Sequence, residues 1–128
     1  MITKITPEII VEDVNKTVTF YESVFGFKKM MTVPEEGTYD WALIAKDGNE
    51  LMLQTKASLL KDLPSIKNTK IGNSMMLYIE VKDIDNFYTK IKTKVTLVKD
   101  IHDTFYGSRE FIVQDCNNYI IIFSERKG

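Results

Sequence analysis

Apolar and polar positions in the first half of the chain predict one strand, one helix and three further strands. Residues 5–11 have the pattern of a strand, and Asp13 follows as a side-chain cap for a helix that Gly26 ends. Strands are predicted over residues 27–33, 39–45 and 50–55, with a tight turn at residues 47–49. This order is a βαβββ module. The apolar positions of its helix recur at helical spacing: Val14, Val18, Tyr21 and Phe25.

The same order recurs in the second half of the chain. Residues 75–81 predict a strand, and Asp83 is expected to cap the next helix. A shift of 70 residues places residues 11–14 (VEDV) on residues 81–84 (VKDI), so the chain is an internal duplication. The apolar face of the second helix holds Ile84, Phe87, Tyr88 and Ile91, and the remaining strands are predicted over residues 95–100, 110–114 and 119–124.

The stretch between the two halves is polar and contains Pro64 and Gly72, with three leucines, at positions 59, 60 and 63, that indicate a short helical turn. We therefore expect one domain over residues 1–128, with a first module at 1–56, a linker at 57–73 and a second module at 74–128. The fold class is α+β. Each module would leave one sheet face uncovered, so we expect one curved, partly closed mixed sheet around a central cavity.

Composition narrows the possible partners. The chain has 128 residues, of which 44% are hydrophobic, and 17 basic and 18 acidic side chains leave a net charge of −1. This charge argues against nucleic acid as a partner. No apolar run approaches a membrane span and the start lacks an export signal, so we expect no membrane partner and a cytoplasmic protein. Cys116 is the only cysteine and has no partner for an internal disulfide.

Motifs in both halves resemble one known superfamily. The first half carries VEDV at residues 11–14, then FY at 20–21 and FGF at 25–27. The second half carries YGSREF at 106–111, then Asp115, a turn and IIIF at 120–123. From residue 5 to residue 125 the chain resembles the vicinal-oxygen-chelate superfamily of glyoxalases, bleomycin-resistance proteins and extradiol dioxygenases. Its ending is most similar to the bleomycin-resistance branch.

The resemblance implies four strand positions at which superfamily enzymes hold a divalent metal with His, Gln or Glu. The matching positions here are Thr6, Met52, Met76 and Ile122. These side chains would bind zinc, nickel, iron or manganese poorly, because thioethers suit soft ions and isoleucine donates nothing. We therefore expect no metal and no other cofactor. Glu50 lies two residues from Met52, on the same strand face, and a shifted register would put it at the third position.

The same positions suggest a ligand site without a metal. Met52, Met76 and Ile122 would form an apolar floor for a flat ligand, or would simply fill the interior. Trp41 and Tyr39 are expected to share a strand face and, with Tyr78, to stack on an aromatic ligand, although core aromatics would show the same pattern. The full set of candidate ligand-binding residues is Trp41, Met52, Gln54, Met76, Tyr78, Tyr106, Arg109 and Ile122.

Candidates for catalysis are few. His102 lies in a predicted loop at residues 101–107, where it would act as part of a lid, as a general base, or only as a solvated side chain. Glu50 is the other possible base. Arg109 and Glu110 would contact a polar ligand group, pair structurally, or lie at a subunit boundary. With one histidine and one cysteine in the chain, no catalytic triad is indicated.

These features favour a metal-independent protein that binds a small molecule, similar to bleomycin-resistance proteins. The resemblance also implies a homodimer. One alternative is a glyoxalase-like lyase or isomerase with a divergent metal site, or a metal-free enzyme that uses His102 or Glu50. A further alternative is a dimeric structural module without a ligand.

Overall fold

The computed structural model describes residues 1–72 and 74–128, and the chain forms two compact units, Met1–Ile71 and Gly72–Gly128. Each unit contains one βαβββ module with its own four-stranded mixed sheet. This arrangement confirms the α+β class and the two modules predicted from the sequence. In the described part of the chain, no helix is long and apolar enough to cross a membrane.

The first unit is built around helix α1. The side chain of Asp13 accepts a hydrogen bond from the Lys16 N–H at 3.0 Å, and Gly26 ends the helix with a left-handed φ of 78°. Both ends are therefore as predicted, because their signals are local. The elements in chain order are β1 (Glu8–Val11), α1 (Val14–Phe25), β2 (Lys28–Val33), β3 (Trp41–Lys46), β4 (Asn49–Thr55), α2 (Lys56–Asp62) and a short 3-10 helix (Pro64–Ile66).

The sheet of the first unit has the order β1-β4-β3-β2, with β1 parallel to β4 and the other pairs antiparallel. Alternate side chains pack beneath α1 and are buried, among them Ile9, Ala42, Ile44 and Leu53. The other face carries half-buried residues and the exposed Glu8, and the helix of this unit does not cover it. We call it the open face of the first sheet, defined by Glu8, Ile10, Trp41, Leu43, Met52 and Gln54.

The second unit repeats this plan around helix α3. Its sheet has the order β5-β8-β7-β6, with β5 parallel to β8. Phe87 of the helix packs on Phe123, with ring centroids 4.8 Å apart, and Phe111 lies beside them. The elements are β5 (Met76–Glu80), α3 (Ile84–Ile91), β6 (Thr96–Asp103), β7 (Ser108–Gln114) and β8 (Ile120–Arg126).

Two local predictions for the second unit are wrong. Asp83 precedes α3, but its side chain makes no capping hydrogen bond; the carboxylate of Glu125 accepts instead from the N–H groups of Asp83 and Ile84, at 2.8 and 3.1 Å. His102 does not lie in a loop but in β6, because that strand continues until Asp103 pairs with Arg109. The connecting turn comprises only residues 104–107.

Candidate functional site

The open face of the second sheet is the face opposite α3. The strand register places Tyr78, Ile122 and Ile112 side by side on this face. The next row holds Glu80, Ser124 and Glu110. Alternation adds Met76 and Ser108, and the turn before β7 brings Tyr106 to the same face. We use the term open face of the second sheet for this set of residues.

Glu110 is at the centre of a hydroxyl cluster on this face. This residue is 3% exposed. Tyr106 Oη donates to Glu110 Oε1 at 2.7 Å, and Tyr78 Oη donates to Oε2 at 2.5 Å. The hydroxyls of Ser108 and Ser124 also donate to Oε2, at 2.9 and 3.0 Å. A buried carboxylate is thus surrounded by four hydroxyl groups.

This environment keeps Glu110 ionised. Burial raises the pKa of the carboxyl group, but the hydrogen bonds from Tyr78, Tyr106, Ser108 and Ser124 outweigh it, so the net pKa lies below the ordinary value of 4.5. The same contact raises the pKa of Tyr106, whose proton is held by the carboxylate. Among the residues that the structure describes, no lysine or arginine forms an ion pair with Glu110. The cluster therefore carries an anion that only hydroxyl groups stabilise.

His102 lies beside Glu110 in the register of β6 and β7. Its Nδ1 is 2.8 Å from the backbone oxygen of Asp100. A carbonyl oxygen only accepts hydrogen bonds, so Nδ1 is the donor in this contact. The structure thus brings one candidate catalytic residue next to the hydroxyl cluster.

The open face of the first sheet contains a related pair. Trp41 Nε1 donates to the carboxylate of Glu8 at 3.1 Å, across the strand that holds Met52 and Gln54. The Gln54 amide donates to Ser58 Oγ at 3.1 Å. Tyr39 does not share this face through strand alternation, as the sequence suggested, because β3 begins at Trp41 and the Tyr39 N–H donates to Asn15 of α1.

The two pairs occupy equivalent places in the duplicated modules. In the first module, Glu8 pairs with Met52 and Trp41 pairs with Gln54. In the second module, the equivalent pairs are Tyr78 with Ile122 and Glu110 with Ser124. The residue types are exchanged, so each module has one aromatic donor and one carboxylate acceptor at these two positions. The duplication has therefore kept an aromatic–carboxylate contact on each open face.

Comparison with known proteins identifies the family. The model of the Glyoxalase/Bleomycin resistance protein/Dioxygenase superfamily matches residues 2–123 of the chain. The chain belongs to this superfamily. This membership confirms the resemblance drawn from the two sets of motifs. No curated protein matches the chain.

Several solved structures share the fold of this superfamily member. TioX from Micromonospora sp. ML1 is 18% identical, with a TM-score of 0.77 and coverage of 97% of this chain and 98% of that chain. A superfamily member from Sphaerobacter thermophilus DSM 20745 is 21% identical, with a TM-score of 0.78 and coverage of 98% of both chains. A glyoxalase-related enzyme from Clostridium phytofermentans is 17% identical, with a TM-score of 0.74 and coverage of 98% and 96%. At these identities the likeness shows the fold alone.

The metal that superfamily enzymes use does not fit the residues present here. Thr6 precedes β1, Met52 and Ile122 lie on open faces, and Met76 begins β5. A shifted register would put Glu50 at the third position, but Glu50 pairs with Lys4. Within residues 1–72 and 74–128 no group of three His, Cys, Asp or Glu side chains could hold a metal ion.

Arg109 lies away from the other candidate residues. It alternates with Glu110 along β7 and so points to the α3 side of the sheet, where it pairs with Asp85 at 3.0 Å and Asp103 at 3.2 Å. Structural pairing, one of the roles considered for Arg109, is therefore present. Glu50, the other possible base, is half-buried and ion-paired with Lys4.

The sequence analysis did not find the hydroxyl cluster as a unit. Its members, Tyr78, Tyr106, Ser108, Glu110 and Ser124, come from three strands and one turn. One signal was available, because Glu110 stands directly before the apolar run Phe111, Ile112 and Val113 in a predicted strand. A glutamate at such a position needs partners, and strand pairing supplies them.

Proposed function

We propose that this superfamily member is a metal-independent small-molecule binding protein that sequesters an apolar or aromatic ligand, as bleomycin-resistance proteins sequester a drug. The observation that carries the proposal is the exposure of large side chains on the open face of the second sheet. Met76, Tyr78 and Tyr106 are 62%, 53% and 50% exposed. Contiguous apolar surface of this kind is typical of a binding site.

The donor set at the superfamily's metal positions also supports the proposal. Threonine, two methionines and isoleucine supply no hard or borderline ligands for a Lewis acid, but methionine and isoleucine pack well against an apolar ligand. The first test is metal analysis of protein purified without chelator, with thermal-shift titrations of nickel, zinc, manganese and ferrous iron. We expect no stoichiometric metal and no stabilisation. A bound metal would assign the chain to the enzymes of the superfamily.

The second test measures binding of an apolar probe. Nile red is neutral and fluoresces in apolar surroundings, so titration of the full chain with this dye should give a saturable increase in emission. Met76→Gln should weaken binding about tenfold, because it replaces the exposed apolar side chain with an amide. Leu63→Gln is the matched control, since Leu63 is 48% exposed but lies outside both open faces. Equal effects of the two changes, or no saturable binding, would refute this assignment.

A further inference from the structure

Strand β2 forms one edge of the first sheet and pairs only with β3. An edge strand presents a row of outward backbone N–H and C=O groups with which a further strand can pair. The register with β3 shifts by one residue next to Met30, but Met31, Thr32 and Val33 pair with β3 regularly. Pro34, which lacks an N–H group, comes only after the strand. The edge is therefore open to a further strand.

The middle of β2 is apolar and exposed to solvent. Met30, Met31 and Val33 are large hydrophobic residues with more than half of their surface exposed. Residues 29–35 line an open groove of about 570 Å³, which gives the side chains of a neighbouring strand room to pack. Edge strands of soluble proteins are usually covered or carry charges along their length. The middle of β2 carries no charge, so it favours an apolar partner strand.

Charged residues are sorted to the two ends of this edge. Lys28 and Lys29 begin β2, and Glu35 and Glu36 follow its end. All four residues are exposed. Lys29 donates to the Tyr39 hydroxyl at 2.9 Å, whereas Lys28 and the two glutamates form no ion pair within the described part of the chain. The edge is thus positive at its start and negative after its end.

A strand with this order of residues is complementary to itself in antiparallel orientation. Two antiparallel copies place the start of one strand against the end of the other, so opposite charges meet at both ends of the pair. The apolar middles of the two strands lie opposite each other. A two-fold axis between the copies generates this arrangement, because each chain then contributes the same surface. A parallel arrangement would bring like charges together at both ends.

The edge strand of the second sheet, β6, lacks this order. Lys99 and Asp100 lie in the middle of β6, and its exposed apolar residues, Leu97 and Val98, lie near the start. Antiparallel copies of β6 would therefore place these two residues opposite the end of the strand and not against each other. Two register shifts also interrupt its pairing with β7. Central charges and bulges of this kind protect an edge from pairing.

We propose that β2 pairs with β2 of a second copy of this chain in antiparallel orientation, which joins the first sheets of the two copies edge to edge. The apolar middle and the opposite charges are supplied by the same strand, so a second copy satisfies both requirements without a foreign partner. The pairing places no group on the open face of the second sheet. It therefore does not depend on the ligand proposed above.

Charge reversal at either end of the edge tests this pairing in the full chain. Lys28→Glu should raise the dimer dissociation constant, measured by analytical ultracentrifugation, about tenfold, because it places like charges at both ends of the pair. The double variant Glu35→Lys with Glu36→Lys should weaken the dimer to a similar extent for the same reason. Lys61→Glu makes the same change of charge in α2 and should leave the dissociation constant within about twofold of the wild-type value.

A mixture of the two weakened chains distinguishes this pairing from a general effect of charge. In a mixed dimer, Glu at position 28 of one chain meets Lys at positions 35 and 36 of the other, and the unchanged ends also carry opposite charges. The mixed dimer should therefore form about tenfold more tightly than either weakened chain forms with itself. Combining all three changes in one chain should also restore association, because start and end are then simply exchanged.

Hydrogen exchange supplies a second readout, because strand pairing protects backbone amides. At a concentration where the wild-type chain is dimeric, amides within residues 29–33 should exchange more slowly than in Lys28→Glu. A monomeric wild-type chain would overturn the proposal and leave the edge to a different occupant. A dimer that tolerates both charge reversals, or weakened chains that fail to associate when mixed, would overturn it as well.

Discussion

Glu110 remains ionised in a buried position because hydroxyl donors replace the water that it loses on folding. Burial alone would raise the pKa, yet the four donors bring it below the ordinary value of 4.5. The unfolded chain therefore takes up this proton at higher pH than the folded chain does. The stability contributed by Glu110 is present above about pH 4.5 and is lost as the pH falls through the folded-state pKa.

Replacement of this carboxylate should change both the stability and its pH dependence. Glu110→Gln should lower the free energy of unfolding near neutral pH by about 1–3 kcal/mol, because the amide cannot accept from all four hydroxyl groups. It should also make the loss of stability in acid less steep, since one group with a lowered pKa is removed. Urea denaturation at a series of pH values below neutrality measures both effects.

Asp100 provides the control for this experiment. Hydrogen bonds from the Tyr88 hydroxyl and from the Ile101 N–H lower its pKa, but it belongs to the α3 side of the sheet. Asp100→Asn should reduce the slope of the free energy of unfolding against pH only by the contribution of Asp100 itself. An unchanged slope in Glu110→Gln would contradict the ionised state assigned to Glu110.

Among the helices, α3 is capped at its N-terminus by a residue that is distant in the sequence. Asp83 has a φ of 54°, in the left-handed region, and its backbone N–H and that of Ile84 both point at the carboxylate of Glu125 on β8. These two bonds lower the pKa of Glu125, as expected for an anion at a helix N-terminus. The sheet therefore supplies the cap that the helix lacks.

This arrangement predicts opposite results at two acidic residues. Glu125→Ala should lower Tm and remove the hydrogen-exchange protection of the Ile84 amide, because two backbone donors lose their acceptor. Asp83→Gly should leave Tm unchanged or raise it, since glycine adopts a positive φ without strain and no capping bond is lost. In α1, Asp13→Ala should lower Tm, because that side chain does cap its helix. A large loss of Tm in Asp83→Gly would contradict the assignment of the cap to Glu125.

The contrast between the two helices shows which elements the sequence could predict. The start and end of α1 depend on Asp13 and Gly26, which lie next to the helix in the chain. The cap of α3 comes from a residue about 40 positions away, and no local pattern records such a contact. The same reason applies to the strand bounds: β1 begins at Glu8, not at residue 5, because its pairing with β4 begins there.

The same contrast between local and long-range contacts decides which residues of the candidate site could be predicted. Met76 and Ile122 were predicted because the family resemblance and the 70-residue repeat align them with Thr6 and Met52, and Tyr78 was predicted because it lies two residues after Met76. The role of Glu110 was not predicted, because its hydrogen-bond partners lie on other strands and the sequence does not show which residues face one another across the sheet. Strand register is the information that the sequence alone lacked.

For the whole molecule, the duplication leaves equivalent edge strands with exposed apolar side chains. In the first unit β2 is an edge, and Met30, Met31 and Val33 are 60%, 57% and 53% exposed. In the second unit β6 is an edge, and Leu97 and Val98 are 38% and 51% exposed. Exposed apolar edges promote association with another chain unless they are covered. They give a physical reason for the homodimer that the resemblance implied.

We therefore expect the 14.8 kDa chain to sediment at about twice this mass. Met31 and Val33 lie in register with Leu43 and Trp41, so both belong to the open side of β2. The double variant Met31→Lys with Val33→Lys should sediment as a monomer, because it places like charges at the apolar contact. Leu63→Lys, which charges an exposed apolar residue after α2, should remain dimeric. A monomeric wild-type chain over a wide concentration range would show that these strands stay uncovered, and a dimer that survives the double variant would place the interface elsewhere on the surface.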